Sequence, residues 1–129
     1  MIRYTRVYAW LHTVPENQEE SRYERYLADG VTVVVPEMQC SYLFDYLQKI
    51  GVMMSSGMGN VPLSWQEINA WMQATGIYLN FWELGVIHKA SAVYVHQLEL
   101  SRKIDAPMPE RVVEQDPRRL ARHIKSILR

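Results

Sequence analysis

The amino-acid sequence predicts a small, mostly α-helical domain, and three observations support this expectation. Apolar side chains recur at helical spacing in two stretches, roughly 37–50 and 80–98. Residues that cap helices precede two predicted helices, and glycines follow two of them where a left-handed backbone ends a helix. The chain has 129 residues, 48% of them hydrophobic, which suits one compact domain. We expect a central αα-hairpin, with a short extended segment near the N-terminus.

The first 35 residues form a segment whose structure the sequence leaves open. Residues 2–14 are rich in Tyr, Val, Thr and Trp, a composition that suits a strand or a buried helix equally well. Residues 16–28 are polar and charged enough for an exposed helix. The β-branched run Val31–Val35 precedes a proline, and both features favour an extended backbone. We therefore separate 1–35 from the domain that follows.

Residues 36–101 are expected to form the helical core domain. Leu43, Leu47 and Ile50 share one face of a predicted helix over roughly 37–50. The following stretch, Val52–Asn60, combines three methionines with serine and glycine, and we expect it to be a flexible loop.

Two later helices begin with the same arrangement of residues. Ser64 and Glu67 form a capping box, and Asn80 and Glu83 repeat it. The first of these helices should end at Gly76, so a short connection joins it to the second, as in an αα-hairpin. In the second helix an apolar stripe steps by three and four residues through Leu84, Ile87, Ser91, Tyr94 and Leu98.

Residues 102–129 are expected to be a linker followed by a basic helix. Pro107 and Pro109 interrupt any continuous helix, and Pro117 suits the first position of a new one. Residues 101–129 carry eight basic and four acidic side chains, whereas 36–100 carry two basic and five acidic. The C-terminal end is therefore positive and the middle of the chain mildly acidic.

Composition argues against several classes of protein. The chain has a formal net charge of zero, unlike a dedicated nucleic-acid binder, and no stretch long and apolar enough to cross a membrane. Its single cysteine, Cys40, allows no intramolecular disulfide and fits the reducing cytoplasm. A salt-sensitive nucleic-acid module built on Arg118, Arg119, Arg122 and Lys125 is the least favoured alternative.

The search for catalytic chemistry gives no strong candidate, and we expect no enzyme activity, cofactor or metal. His88 and His96 lie eight residues apart on one predicted helix, too far to share a metal ion. Cys40 lacks a neighbouring base, and no phosphate-binding glycine loop is present. The capping role of Glu67 and Glu83 already accounts for these two carboxylates.

The aromatic and methionine content suggests a surface that binds another protein. The chain contains four tryptophans and eight tyrosines, and such residues dominate interface hot spots. Methionine-rich loops suit adaptable binding surfaces, although core packing is the alternative for each ring. The expected partner-binding residues are Met53, Met54, Met58, Trp71, Trp82 and Tyr94.

An ordered set of features between Pro36 and Tyr94 resembles the small tail assembly chaperones of long-tailed phages and prophages. The features are Pro-Glu at 36–37, a glycine-rich loop at 57–60, Pro-Leu-Ser-Trp-Gln-Glu-Ile at 62–68, Thr-Gly at 75–76 and Trp-Glu at 82–83. They cover under half of the chain. Ile87-His88-Lys89-Ala90 departs from the family pattern, in which Leu-Asp tends to precede the tyrosine.

The resemblance implies a helper protein in the host cytoplasm that binds the tape measure protein and keeps it soluble. The tail tube protein would then polymerise around that partner. Self-association of the chaperone is compatible with this role. The alternative is a phage-encoded protein that binds and inhibits a host protein such as a defence factor.

Overall fold

The structure is a computed structural model that describes residues 1–113. This part of the chain contains five α-helices and one antiparallel β-hairpin. The elements in chain order are α1 (Ile2–His12), α2 (Arg22–Ala28), α3 (Ser41–Ile50), β1 (Met53–Ser56), β2 (Gly59–Pro62), α4 (Trp65–Thr75) and α5 (Phe81–Leu100). The prediction of a mostly helical domain is confirmed.

The longest helix, α5, is the element on which the others assemble. Helices α1 and α3 and both strands of the hairpin contact it. The buried apolar residues of the main core come from α3, α4, α5 and the residue after β2: Leu43, Phe44, Leu47, Leu63, Ile68, Ile87 and Ala90. Short helices such as α3 are marginal alone, so burial of these side chains supplies most of their stability.

Helix α1 resolves the ambiguity of residues 2–14 in favour of a buried helix. Tyr4 and Tyr8 each pack edge-on against Phe44, with ring centroids 4.9 and 5.1 Å apart. Because α1 also packs along α5, the N-terminal segment and the helical core form one packed unit. The expected separation at residue 35 is therefore not seen in the packing.

The predicted flexible loop at Val52–Asn60 is wrong, because this stretch forms the β-hairpin. Strand β1 pairs with β2 in an antiparallel register in which Met53 faces Pro62 and Ser56 faces Gly59. The Ser56 hydroxyl accepts a hydrogen bond from the Met58 N–H and donates one to the Gly59 carbonyl, which closes the turn. Serine, glycine and methionine give little strand signal, and the hairpin depends on tertiary contacts with α5.

The helix caps are confirmed in large part. Asn80 and Glu83 form a complete capping box at the start of α5. The Ser64 side chain accepts from the Glu67 N–H, which is the serine half of the predicted box. Gly76 ends α4 with a φ of 72°, in the left-handed region.

The predicted central αα-hairpin of α4 and α5 is not confirmed. The main neighbours of α5 are α1, α3 and the β-hairpin, whereas the helix that α4 mainly contacts is α3. One clear link between α4 and α5 is a stack of Trp65 on His88, with ring centroids 4.0 Å apart.

Residues 102–113, predicted as the start of a linker, fold back on the N-terminal helices. Val112 is buried in a second apolar cluster with Val7, Trp10 and Leu11. The buried Arg22 guanidinium donates hydrogen bonds to the carbonyl oxygens of Trp10 and Lys103. The predicted basic helix after Pro117 lies outside the described residues.

Candidate protein-binding surface

The first turn of α5 exposes two large aromatic side chains to solvent. Phe81 is 93% exposed and Trp82 is 57% exposed, and Tyr78, just before the helix, is 72% exposed. Large apolar side chains scattered singly on a surface are ordinary, but a contiguous group of them marks an interaction site. These residues therefore define the first candidate for a functional site.

A groove runs beside Trp82, between α5 and the start of α1. It consists of two adjoining cavities of about 330 and 480 Å³ that share Ile2, Trp82 and Val86. The first cavity is completed by Phe81, Gly85 and Lys89, and the second by Met1, Arg3, Glu37, Gln39 and Cys40. We call this feature the Trp82 groove.

The charged side chains of the Trp82 groove differ in their pairing. Arg3 forms an ion pair with Glu110, with Nη2 and Oε1 2.5 Å apart. Lys89 and Glu37 have no ion-pair partner within residues 1–113. Lys89 lines the first cavity, and the other residues that line this cavity are apolar side chains and a glycine. Among the described residues, the first cavity of the groove thus combines apolar side chains with an ammonium group that no carboxylate pairs.

A hydrogen-bond network holds the start of α5, and with it Trp82, in place. Glu83 accepts a hydrogen bond from the Asn80 N–H at 2.9 Å and another from the Tyr42 hydroxyl at 2.7 Å. These two hydrogen bonds, the first being the stronger influence, lower the pKa of Glu83. The same contact with Glu83 raises the pKa of Tyr42 to about 12. Glu83 therefore caps α5 and also ties it to α3.

Of the six residues predicted to bind a partner, Trp82 alone lines the groove. Met58 is fully exposed at the tip of the β-hairpin. Met53 is partly buried in β1, and Met54 packs against the main core. The three methionines predicted to bind a partner therefore do not line the groove that contains Trp82.

Trp71 and Tyr94 are also partly buried. The Trp71 ring lies against Tyr46, with centroids 5.2 Å apart. Tyr94 lies near Tyr8 at 6.3 Å, and burial raises the pKa of its hydroxyl. Both rings contribute to packing between helices, which was the alternative considered for each aromatic residue.

Sequence reasoning missed Ile2, Phe81 and Val86 as groove residues. A second apolar series within α5 could have revealed Val86, because Trp82, Val86 and Val93 are separated by four and seven residues. That spacing places them on one side of a helix, away from the stripe that was used to predict the core. Ile2 carried no signal, since its position depends on how α1 packs against α5.

A second concave region lies between α1, α2 and the extended segment at 31–35. It has a volume of about 550 Å³ and is lined by Tyr4, Tyr8, Leu11, His12, Tyr23, Leu27, Val31, Thr32, Val33 and Val35. The His12 ring lies between Tyr8 and Tyr23, at centroid distances of 4.1 and 4.8 Å. Partial burial lowers the pKa of His12. The His12 ring is tilted by 31° from the Tyr8 ring and by 33° from the Tyr23 ring.

Residues 1–113 contain neither a metal-binding cluster nor a membrane-spanning helix. No three His, Cys, Asp or Glu side chains of this part of the chain come together in a way that could hold a metal ion. None of its helices is both long and apolar enough to span a lipid bilayer. His88, considered as a ligand from the sequence, instead stacks on Trp65 at an interplanar angle of 10°.

Comparison with known proteins identifies no relative of this chain. No family model matches it, and no curated protein or solved structure is significantly similar to it.

Proposed function

We propose that this protein is a phage tail assembly chaperone. In this proposal the Trp82 groove binds an apolar segment of the tape measure protein and keeps that partner soluble in the host cytoplasm. The observation that carries the proposal is the exposure of Phe81 and Trp82 beside an apolar groove. The partial resemblance of residues 36–94 to tail assembly chaperones supplies the identity of the partner.

The shape of the groove supports a helical partner. Its walls come from the first residues of α1, the first half of α5 and the segment 37–40 that precedes α3. A groove between two helices accepts a third helix, whose apolar residues at positions i, i+3, i+4 and i+7 fill the space. A tape measure protein that presents amphipathic helices would offer such segments.

The composition of the groove supports a binding role. Tryptophan and other aromatic residues carry much of the binding energy of protein interfaces, because they bury a large apolar area with few rotatable bonds. Phe81 and Trp82 are already ordered at the start of a capped helix, so binding costs little further ordering of the chain. A chaperone also has to release its partner, to the tail tube protein in this proposal, and a groove with one open side permits release.

The chemistry of such a role requires no catalytic residue and no cofactor. The chaperone lowers the free energy of the partner's exposed apolar surface by covering it, and no bond is made or broken. We accordingly assign no catalytic function to Cys40, His12 or His88.

Co-expression with the tape measure protein of the same genome tests the proposal. We expect the native chain to keep that protein soluble and to elute with it, and the double variant F81A/W82A to lose both effects. Both side chains are largely exposed, so circular dichroism should show that the variant remains folded.

The matched control is Trp65→Ala, which removes another exposed tryptophan that does not line the groove. It should leave the partner soluble. If F81A/W82A keeps the tape measure protein soluble as well as the native chain does, the groove is not the binding site. If the native chain itself fails, the chaperone function is wrong, and a host protein becomes the partner to test.

A further inference from the structure

Lys89 is the feature of the Trp82 groove that a purely apolar partner would leave unsatisfied. It lines the cavity formed by Ile2, Phe81, Trp82, Gly85 and Val86, and no carboxylate pairs with it within residues 1–113. In the free protein, water solvates the ammonium group. A partner that covers the groove removes part of that water, and an ammonium group buried without an acceptor is costly.

The other charges near the groove do not relieve this cost. Arg3 already pairs with Glu110, and Glu37 lines only the second cavity, whereas Lys89 lines only the first. Glu83 is engaged by Asn80 and Tyr42. Within residues 1–113 no carboxylate is left to accept from Lys89, so we look to the partner for that acceptor.

We infer that the partner of the Trp82 groove is an amphipathic helix with a carboxylate beside its apolar stripe, and that this carboxylate pairs with Lys89. This inference rests on the proposed binding function of the groove. The apolar contacts with Phe81 and Trp82 supply affinity, and the ion pair selects the register and direction of the helix, because electrostatic complementarity acts mainly on specificity.

Two designed peptides provide the test. Both are amphipathic helices with a leucine stripe and glutamine on the opposite face. They differ at one position beside the leucine stripe, which is Glu in one and Lys in the other. We expect fluorescence anisotropy to show the Glu peptide binding the native full-length chain about tenfold more tightly than its Lys twin, since one pair attracts and the other repels. The preference should shrink at high salt.

Charge reversal at Lys89 completes the test. The variant Lys89→Glu should reverse the preference, so that the Lys peptide binds more tightly than the Glu peptide. Lys49→Glu makes the same change at an exposed lysine of α3 that does not line the groove, and it should keep the native preference. Both positions are exposed, so neither change should disturb the fold.

The outcomes separate this inference from the proposed function. If both peptides bind equally to the native chain and to Lys89→Glu, and F81A/W82A abolishes that binding, the groove binds helices but Lys89 does not select them. The inference is then wrong and the proposed function stands. If neither peptide binds the native chain, the inference is wrong, and co-expression with the tape measure protein decides the proposed function. The inference is supported if the peptide preference is reversed in Lys89→Glu and kept in Lys49→Glu.

Discussion

The hydroxyl of Ser91 accepts a hydrogen bond from the backbone N–H of Leu63, with a distance of 2.8 Å between the two atoms. The same hydroxyl donates to the carbonyl oxygen of Val52 at 2.5 Å. Val52 and Leu63 flank the β-hairpin, so one buried side chain of α5 satisfies polar backbone groups at both ends of the hairpin. Ser91, a member of the apolar stripe predicted for α5, is thus the position at which the hairpin is bound to this helix.

Ser91→Ala should destabilise the protein while leaving its fold unchanged. The substitution leaves the Leu63 N–H and the Val52 carbonyl without this partner, and an unsatisfied buried polar group costs about 1–3 kcal/mol. Urea unfolding followed by circular dichroism measures the change in the free energy of unfolding. Ser55→Ala, at an exposed serine of β1, is the control and should change it by less than about 0.5 kcal/mol. Equal stability of the two variants would show that the Ser91 bonds contribute nothing.

The protein should lose stability as the pH falls from neutral toward 5, in part through His12. Burial lowers the pKa of His12 below its ordinary value of 6.5, against a smaller opposing effect of Glu24. Near that value the unfolded chain therefore binds more protons than the folded chain, so stability is present above it and declines below it. The decline reflects the cost of a charged imidazolium in a partly buried site.

Thermal unfolding measured at a series of pH values tests the role of His12. The variant His12→Phe keeps an aromatic ring between Tyr8 and Tyr23 and cannot take up a proton. Its melting temperature should depend less on pH between 7 and 5 than that of the native chain. An exposed histidine of α5, changed in His96→Phe, serves as the matched control. The same pH dependence in the native chain and in His12→Phe would contradict the prediction.

Tyr42→Phe should raise the pKa of the Glu83 carboxyl group. The variant removes one of the two hydrogen bonds that stabilise the charged carboxylate, the one from the tyrosine hydroxyl. The bond from the Asn80 N–H remains and is the larger influence, so the pKa should stay below the ordinary value of 4.5. NMR titration of the Glu83 side chain measures its pKa in the native chain and in the variant.

The sign of the accompanying stability effect follows from the direction of the shift. A carboxyl group whose pKa is lowered by folding stabilises the protein above its ordinary pKa, and this contribution is lost as the pH falls through its pKa in the folded state. Tyr42→Phe should make that loss begin at a higher pH. Tyr78→Phe removes an exposed hydroxyl elsewhere and should leave the Glu83 titration unchanged. An unshifted Glu83 in Tyr42→Phe would show that the contact is absent in solution.

Local sequence signals determined the helices and several of their ends. Ser64 and Asn80 cap α4 and α5 because a side-chain oxygen three residues before a backbone N–H can accept its hydrogen bond in any protein. Gly76 ends α4 because glycine adopts a positive φ at little cost. Such interactions span a few residues, so the sequence alone contains the information needed to predict them.

The tertiary structure alone decided the hairpin, the role of α1 and the candidate binding surface. Val61 is the one β-branched residue of the two strands, and the hairpin is held by Ser91, 28 residues from Leu63 along the chain. The sequence does not show whether the side of α5 with Trp82, Val86 and Val93 is buried. Trp82 is exposed because α1 and α3 leave the first turns of α5 partly uncovered. The periodicity of a helix shows that a side is apolar, but which neighbour covers it depends on packing between elements distant in sequence.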